Sequence, residues 1–420
     1  MLIACRDCGA IQGMPPVPKR GGIVCRTCGR FLERKTGRSL DGALACSLAT
    51  LLLLFPSNIL TVMTVHVGGI NRSTHLASGL PVAWEQAWPE VAIVLSLVGI
   101  LLPFVRFGLL SVVLAALRTG VHWRWAGTAF RYSELLDPWA MSDVLLVGAG
   151  IGYGRVASQI PVHIDAGGWC FVIAAIMTML TRASLDRQAV WRRIAASPLV
   201  VGGTGLLSCT SCDLVLPDAL NGQRCPRCAA RLHRRHPDSL RQCAALTAAC
   251  WVLMPVAYGY PMSRLWEAGT SHSHTIIDGI ELLFQYGFWY FGIIVFFVSI
   301  IFPFTKVVAL TWFLVSTVRS SSEYLLAKTR LFRFIDESGR WSTLDPFTVM
   351  VFAPMVQFQQ DAHIEFMGGA PAFLATVILS MIAARVFDPR LMWDSQATKI
   401  SERPASVRAD LRRHLSASPE

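Results

Sequence analysis

Long apolar runs without charge constrain this chain more than any other feature. Gly42 to Val67 carries no formal charge over 26 residues. Val91 to Leu117 carries only Arg106, Val144 to Ile164 only Arg155, and Leu282 to Val318 only Lys306. Ala166 to Thr181, Gln242 to Ser263, Pro346 to Gln360 and Phe366 to Ala384 complete a set of eight. A helix needs roughly 20 mostly apolar residues to cross the hydrocarbon of a bilayer. The expected fold is therefore an α-helical polytopic membrane protein with eight transmembrane helices. The third, fourth and seventh runs have the shortest clean cores. Helices buried in a large soluble protein are the competing reading, and so many runs argue against it. With 53% hydrophobic and 15% charged residues, disorder is excluded.

The formal net charge is +11. Such a balance fits a nucleic-acid partner, an acidic membrane surface or the positive-inside bias of a membrane protein. Position decides between them. Met1 to Ala10 lacks the apolar core of a signal peptide, so the N-terminus is expected in the cytosol. The inner segments are then 1–39, 118–138, 182–238, 319–341 and 385–420. They hold 32 of the 38 lysines and arginines, and the outer loops hold three, Arg72, Arg155 and Arg264. Topology accounts for the charge, and no nucleic acid is expected.

The chain also repeats itself. Cys25 and Cys28 recur as Cys225 and Cys228, Gly79 as Gly279 and Pro103 as Pro303, each 200 residues on, and Arg106 falls opposite Lys306. Later pairs lie 202 apart: Trp139 with Trp341, Asp143 with Asp345, Asp186 with Asp388, Trp191 with Trp393. The expected organisation is two tandem repeats, each a small cytosolic zinc ribbon followed by four transmembrane helices. The boundaries read 1–38 for ribbon 1, 39–190 for transmembrane domain 1, 191–238 for ribbon 2, 239–393 for transmembrane domain 2 and 394–420 for a basic cytosolic tail. An even number of spans makes the repeat parallel, with the functional site expected near the repeat interface.

Eight of the twelve cysteines fall in two modules. One is Cys5-x2-Cys8 with Cys25-x2-Cys28, and the other is Cys209-x2-Cys212 with Cys225-x2-Cys228. Two such knuckles converge four thiolates on one tetrahedral ion. Reducing cytosol favours metal over disulfide. One structural zinc per module is expected, because four cysteines leave no open coordination position. Iron and a thiol redox pair are the competing uses.

Charge inside a span is costly and points to function. Lys306 follows 24 uncharged residues. Ser299 sits two turns before it on the same helical face, and Pro303 between them frees a carbonyl. Asp345 opens the next span as a partner for Lys306, and Ser380 is a hydroxyl at mid-depth in the last. Arg106, Asp143 and Asn58 are the first-half counterparts. Two blander readings stay open: Lys306 snorkelling toward a headgroup region, and Asp143 and Asp345 as helix N-caps. No phosphate-binding G-x4-G-K-[ST] loop is present, so nucleotide hydrolysis is not expected here, and the chain reads as a non-enzyme.

The paired cysteine modules, Ser299 to Lys306, Trp139 to Val144, Trp341 to Asp345 and the Asp-x4-Trp endings at Asp186 and Asp388 resemble the paraquat-inducible protein A family. The likeness runs from Cys5 to Trp393. It implies a multi-pass protein of the Gram-negative inner membrane, partnered by a periplasmic MCE-domain protein that forms a lipid tunnel. It implies loading or extraction of phospholipid at the bilayer, and a role for Ser299, Lys306, Asp345 and Ser380 in transport. The first half departs from the second, with Gly99 for Ser299 and Arg106 for Lys306. A scaffold that only anchors the MCE partner, and a membrane-bound CxxC redox protein, are the alternative functions.

Overall fold

The structure is a computed structural model. It describes residues 2–13, 21–35, 40–67, 70–121, 123–157, 161–195, 205–267, 270–285, 287–319, 323–343 and 362–394. Among these, six helices are long and apolar enough to cross a membrane. The first half supplies α1 (Leu40–Ile59), α3 (Pro89–Thr119) and α6 (Ala166–Ser184). The second supplies α8 (Ser239–Gly259), α10 (Trp289–Val318) and α12 (Gly369–Val386). The chain is a multi-pass membrane protein. Many of its outward-facing apolar side chains, among them Leu52, Ile93, Val252 and Val308, have lipid as their natural surroundings rather than water.

The apolar runs overstate several spans. The Gly42–Val67 run ends as helix at Ile59 and continues as strand β5 (Met63–Val67). The Gln242–Ser263 run likewise ends at Gly259, before β10 (Ser263–Glu267). Within the third expected span, Val144 to Ile164, the described helix is α5 (Ser142–Ala157), of 16 residues. At 1.5 Å per residue α5 is about 24 Å long, and it leads from α4 (Ala126–Leu136) at one end of the bundle to strand β7 (Val162–Ile164) at the other. That strand, the tail of the run, pairs with β5. Lack of charge reports burial or lipid contact, and these strands are both apolar and close to the helix ends. The seventh expected span, Pro346 to Gln360, lies outside the described residues.

The two halves share one plan. In the first, α1 packs along α6 and against α3; in the second, α8 packs along α12 and against α10. Beyond one end of each bundle sits a three-stranded antiparallel sheet. The orders are β6-β5-β7, with β6 at Ile70–Thr74, and β11-β10-β12, with β11 at Thr270–His274 and β12 at Ala362–Phe366. Short helices α2 (Gly79–Glu85) and α9 (Ile276–Gln285) lead to α3 and α10 through residues of positive φ, Ala87 at +63° and Gly287 at +79°. Alanine at the first site works against the steric preference that glycine at the second escapes. One apolar core joins the halves, from Leu95, Val98 and Met141 to Val298, Phe373 and Met381. Polar ties cross there too. Trp88 Nε1 donates to Phe366 O at 3.1 Å, and Phe366 N–H to Gln86 Oε1 at 2.7 Å.

At the opposite end lie the cysteine modules and three short helices, α4 (Ala126–Leu136), α7 (Arg187–Ile194) and α11 (Leu325–Ser338). Each module is built on short hairpins: β1 (Leu2–Ala4) with β2 (Ile11–Gly13) and β3 (Gly21–Val24) with β4 (Phe31–Lys35) in the first, β8 (Leu206–Ser208) with β9 (Val215–Pro217) in the second. The modules are exchanged between halves. The second shares a core with Ala43 and Leu44 of α1, Leu110 of α3, Phe130 of α4 and Trp191 of α7. A Cβ on Gly127 of α4 would fall 1.9 Å from Arg227 O, so only glycine permits that approach. The first module docks mainly on the second half, where Arg333 of α11 donates to Asp7 and to Cys28 O, and Trp393 packs beside the cysteines. Glu33 also pairs with Arg192 of α7, and Arg6 with Asp213 of the second module. Both Asp-x4-Trp endings serve this docking. Asp186 caps α7 by accepting from Ala189 N–H at 3.0 Å, and Trp191 is fully buried against Phe130. Trp393 Nε1 donates to Thr329 Oγ1 of α11 at 3.2 Å.

Candidate functional site

The cysteines form two tight clusters. Within each, all four Sγ atoms lie within 4.8 Å of one another, and all eight cysteines are buried. Cys5 Sγ lies 3.4 Å from Cys28 Sγ, and Cys8 Sγ 3.6 Å from Cys25 Sγ. In the second cluster Cys209–Cys228 is 3.5 Å and Cys212–Cys225 is 3.6 Å. A disulfide needs about 2.05 Å. Thiolates on one tetrahedral ion with bonds of about 2.3 Å stand about 3.8 Å apart, so the spacing fits a shared ion. Donors already face the sulfurs of the first cluster: Gln12 Nε2 lies 2.8 Å from Cys25 Sγ, and Arg333 Nη2 3.1 Å from Cys28 Sγ. Such N–H groups orient and stabilise thiolate ligands. Each module can thus hold one metal ion.

The second feature is the break in α3 and α10. Proline has no N–H and clashes with the carbonyl four residues back. Before Pro103 and Pro303 both helices widen into a π turn, Leu97–Leu101 and Phe296–Ile301. Leu102 N–H reaches Leu97 O and Phe302 N–H reaches Phe297 O, each five residues back. Such turns inside α-helices are frequent at functional sites. In the second half the carbonyl that Pro303 leaves without its usual donor, Ser299 O, accepts from Tyr258 Oη of α8 at 2.6 Å. Ser299 itself is fully buried, and its Oγ finds no hydrogen-bond partner among the described residues.

One turn on from the prolines come the two cations, Arg106 and Lys306, each 3% exposed. Their surroundings differ. Arg106 forms an ion pair with Asp137, just beyond α4, and stacks over Phe107 with Cζ 4.6 Å from the ring centre. Arg182 of α6 bonds Asp137 at 3.0 Å and Asp143 at 2.5 Å, and also donates to Asp137 O and Ala140 O. Asp143 is therefore an ion-pair member in the first turn of α5. Lys306 instead presses its ammonium against Gly339: a Cβ there would fall 2.5 Å from Nζ and 3.8 Å from Met381 Cγ of α12. Gly339 stands 202 residues after Asp137, so the repeat places a glycine where the first half has the carboxylate that holds its arginine. The nearby charges acting on Lys306 are Asp336 of α11 and Arg385 of α12.

The remaining expected residues divide. Ser380 is buried on the same turn as Met381, with its hydroxyl bonded to Val377 O at 2.8 Å. Asn58 Nδ2 donates to Leu54 O at 2.8 Å, again within its own helix. Asp345 lies outside the described residues. Four participants escaped the sequence reading: Asp137, Arg182, Tyr258 and Gly339. Extending the repeat alignment to the residues before Trp139 and Trp341 would have exposed the Asp137–Gly339 exchange.

A family model described as paraquat-inducible protein A matches residues 40–195 and 240–397. The chain is 25% identical over 405 residues to the intermembrane transport protein PqiA of Escherichia coli (strain K12), covering 94% of this chain and 96% of that protein. It is 29% identical over 404 residues to the lipophilic envelope-spanning tunnel protein A of the same organism, covering 93% and 91%. A probable intermembrane transport protein of Haemophilus influenzae is 22% identical over 411 residues, covering 93% and 95%. No solved structure matches the chain. The matched segments take in both broken helices and both halves of the repeat, and the chain belongs to the paraquat-inducible protein A family.

Proposed function

We propose that this protein is the inner-membrane component of an intermembrane lipid transport system. It loads or extracts phospholipid for a periplasmic MCE-domain tunnel protein and so supports outer-membrane lipid homeostasis. Its relatives are named for intermembrane transport and for an envelope-spanning tunnel. The cysteine modules and both chain ends face the cytosol, in keeping with the 32 of 38 basic residues on that side. The sheets β6-β5-β7 and β11-β10-β12 then face the periplasm and the tunnel.

The asymmetry of the two broken helices carries this reading. Arg106, Asp137, Arg182 and Asp143 form a closed ion-pair network. That arrangement suits a rigid half, because each buried charge has a partner. Lys306 meets glycine at the position of Asp137. The proposed polar patch is its ammonium, the buried Ser299 hydroxyl two turns earlier on the same helix, which has no hydrogen-bond partner among the described residues, and Ser380, next to the Met381 that borders Gly339. Asp345, which lies outside the described residues, is the carboxylate proposed as partner for Lys306. This patch either neutralises a lipid phosphate or couples protonation of Lys306 and Asp345 to movement of α10. Only the lysine half can do the latter, since arginine does not give up its proton.

Zinc is the ion proposed for both modules. It favours four thiolates in a tetrahedron, and a closed set of four gives it a structural role. The Sγ spacing speaks against a CxxC redox function for the same reason. Reconstitution with fluorescent phospholipid tests the transport reading. Protein-dependent transfer that is lost in Lys306→Ala, at unchanged protein level, is expected. Transfer unaffected by that substitution would sink the role of Lys306. No transfer by the wild type together with its MCE partner would leave a scaffold.

A further inference from the structure

Between the cysteine modules and the ends of the membrane helices lies a cavity of about 810 Å³. We infer that it is a binding site for a phosphate-bearing anion, adjoining the patch around Lys306 through Arg385 but lined by residues that patch does not use. Seven arginines line it against three carboxylates, Glu134, Asp137 and Glu337. Much of that charge is already matched. Arg6 pairs with Asp213, Arg187 with Glu134, and Arg106 and Arg182 with Asp137. Three lining arginines have no carboxylate at ion-pair distance among the described residues: Arg131 of α4, Arg231 of the second module and Arg385 of α12. Arg131 lies over the Tyr132 ring and Arg385 near the Trp139 ring, contacts that orient a guanidinium without neutralising it, and Arg385 feels Asp336 and Asp137 only beyond ion-pair distance.

A cavity lined by guanidiniums in excess of its carboxylates suits an anion. The planar fork of arginine matches phosphate oxygens two at a time. The volume falls in the range of small-ligand sites, and three cations exceed what one carboxylate needs. Arg182 and Arg385 both lie in the last turns of membrane-crossing helices, α6 and α12. The cavity thus sits at the level of the headgroups, where basic pockets between helices take anionic lipid heads. Leu110 and Leu135 on its wall give a glycerol or acyl stem an apolar surface. The shared chemistry is a phosphate group, carried by an anionic lipid or free in solution.

The test uses the full chain purified in neutral detergent. Phosphatidylglycerol, phosphatidylcholine and inorganic pyrophosphate are titrated separately, and the dissociation constants compared. A triple variant, R131Q/R231Q/R385Q, removes the three unmatched charges. A control, R118Q/R241Q/R319Q, removes the same net charge at exposed sites outside the cavity. Binding of phosphatidylglycerol or pyrophosphate is expected to weaken on the order of tenfold to a hundredfold in the triple variant and to hold in the control. Selective binding of phosphatidylglycerol identifies a lipid headgroup, and binding of pyrophosphate identifies a soluble phosphate. Equal weak binding of both lipids with none of pyrophosphate, or equal losses in variant and control, overturns the site. Arg385 also acts on Lys306, so the double variant R131Q/R231Q is titrated alongside: a site distinct from the Lys306 patch requires that it too weaken binding, and unchanged binding in it overturns the site.

Discussion

The ammonium of Lys306 lies where a side chain on Gly339 would have to be, with Nζ 2.5 Å from an ideal Cβ. Because Gly339 has an ordinary helical φ of −57°, alanine there meets no backbone penalty. Its methyl group instead pushes aside the far end of a flexible lysine. Gly339→Ala is expected to fold with a loss of about 1 kcal/mol and to lose most lipid transfer. Gly339→Asp recreates the Asp137 position, so it is expected to pair with Lys306, hold the melting temperature at or above that of Gly339→Ala, and still abolish transfer. Melting curves and the transfer assay on both variants check this. Normal transfer in Gly339→Asp would show that an immobilised lysine is sufficient.

Tyr258 holds the other side of the break. Its hydroxyl donates to Ser299 O, the carbonyl four residues before Pro303. Tyr258→Phe leaves the ring packed between Phe304 and Phe373 and removes only that bond. A buried acceptor left without its donor costs about 1–3 kcal/mol, so the melting temperature should fall by several degrees. In a Tyr258→Phe/Pro303→Ala double variant the restored N–H at position 303 can serve the same carbonyl. The second substitution is then expected to recover part of the loss. An additive double variant would mean that the two residues act separately.

How much of this was legible in the residues differs from feature to feature. The cysteine spacing alone located both four-cysteine clusters, because four thiolates that can share one ion leave little freedom in the chain. The repeat found Arg106 opposite Lys306, and Pro103 opposite Pro303, since a kinked helix and a buried cation both need specific residue types. Lack of charge served less well as a ruler. It ran past Ile59 and Gly259 into β5 and β10, because strands against the helix ends are as apolar as the helices. The partners of the cations were hidden for another reason. Asp137 and Gly339 stand 31 and 33 residues from Arg106 and Lys306 in sequence, and nothing local marks which residue will face a helix across a bundle. The exchange of the modules was equally invisible, since it is a choice between two docking surfaces of similar composition.

Glu134 gives the cavity region a pH signature. Burial raises its carboxyl to about 7, from an ordinary 4.5, even though Arg187 and Arg6 pull the other way. The folded state therefore binds this proton more tightly than the unfolded chain. Stability contributed by Glu134 is greatest below about pH 4.5, falls as pH rises from there to about 7, and stays low above it. With 17% of the side chain exposed, the effect at neutral pH is on the order of 1 kcal/mol. Glu134→Gln is expected to melt higher than the wild type at pH 8 and to close that gap by pH 5. A gap that widens on acidification would mean that the carboxylate is net stabilising.

The exchanged modules predict that metal loss is felt in the opposite half. The second cluster shares its core with Phe130 and Trp191, both of the first half. The first cluster meets Arg333 and Trp393, both of the second. A module of this size has too little apolar core to fold without its ion. Cys225→Ser should therefore reduce bound metal from two equivalents to one and raise amide exchange in α4 and α7, while α11 stays protected. Cys28→Ser should loosen α11 around Arg333 and leave α4 protected, with α7, which Arg192 ties to Glu33 of the first module, affected in both variants. Hydrogen exchange by mass spectrometry on the two variants, with metal analysis alongside, reads both effects. Loosening confined to the mutated module, with α4 and α11 unchanged in both variants, would show that the modules do not support the helices they touch. The predicted cross-pattern requires that each half be held from below by the module of the other, and that neither half of the repeat be stable with its own module alone.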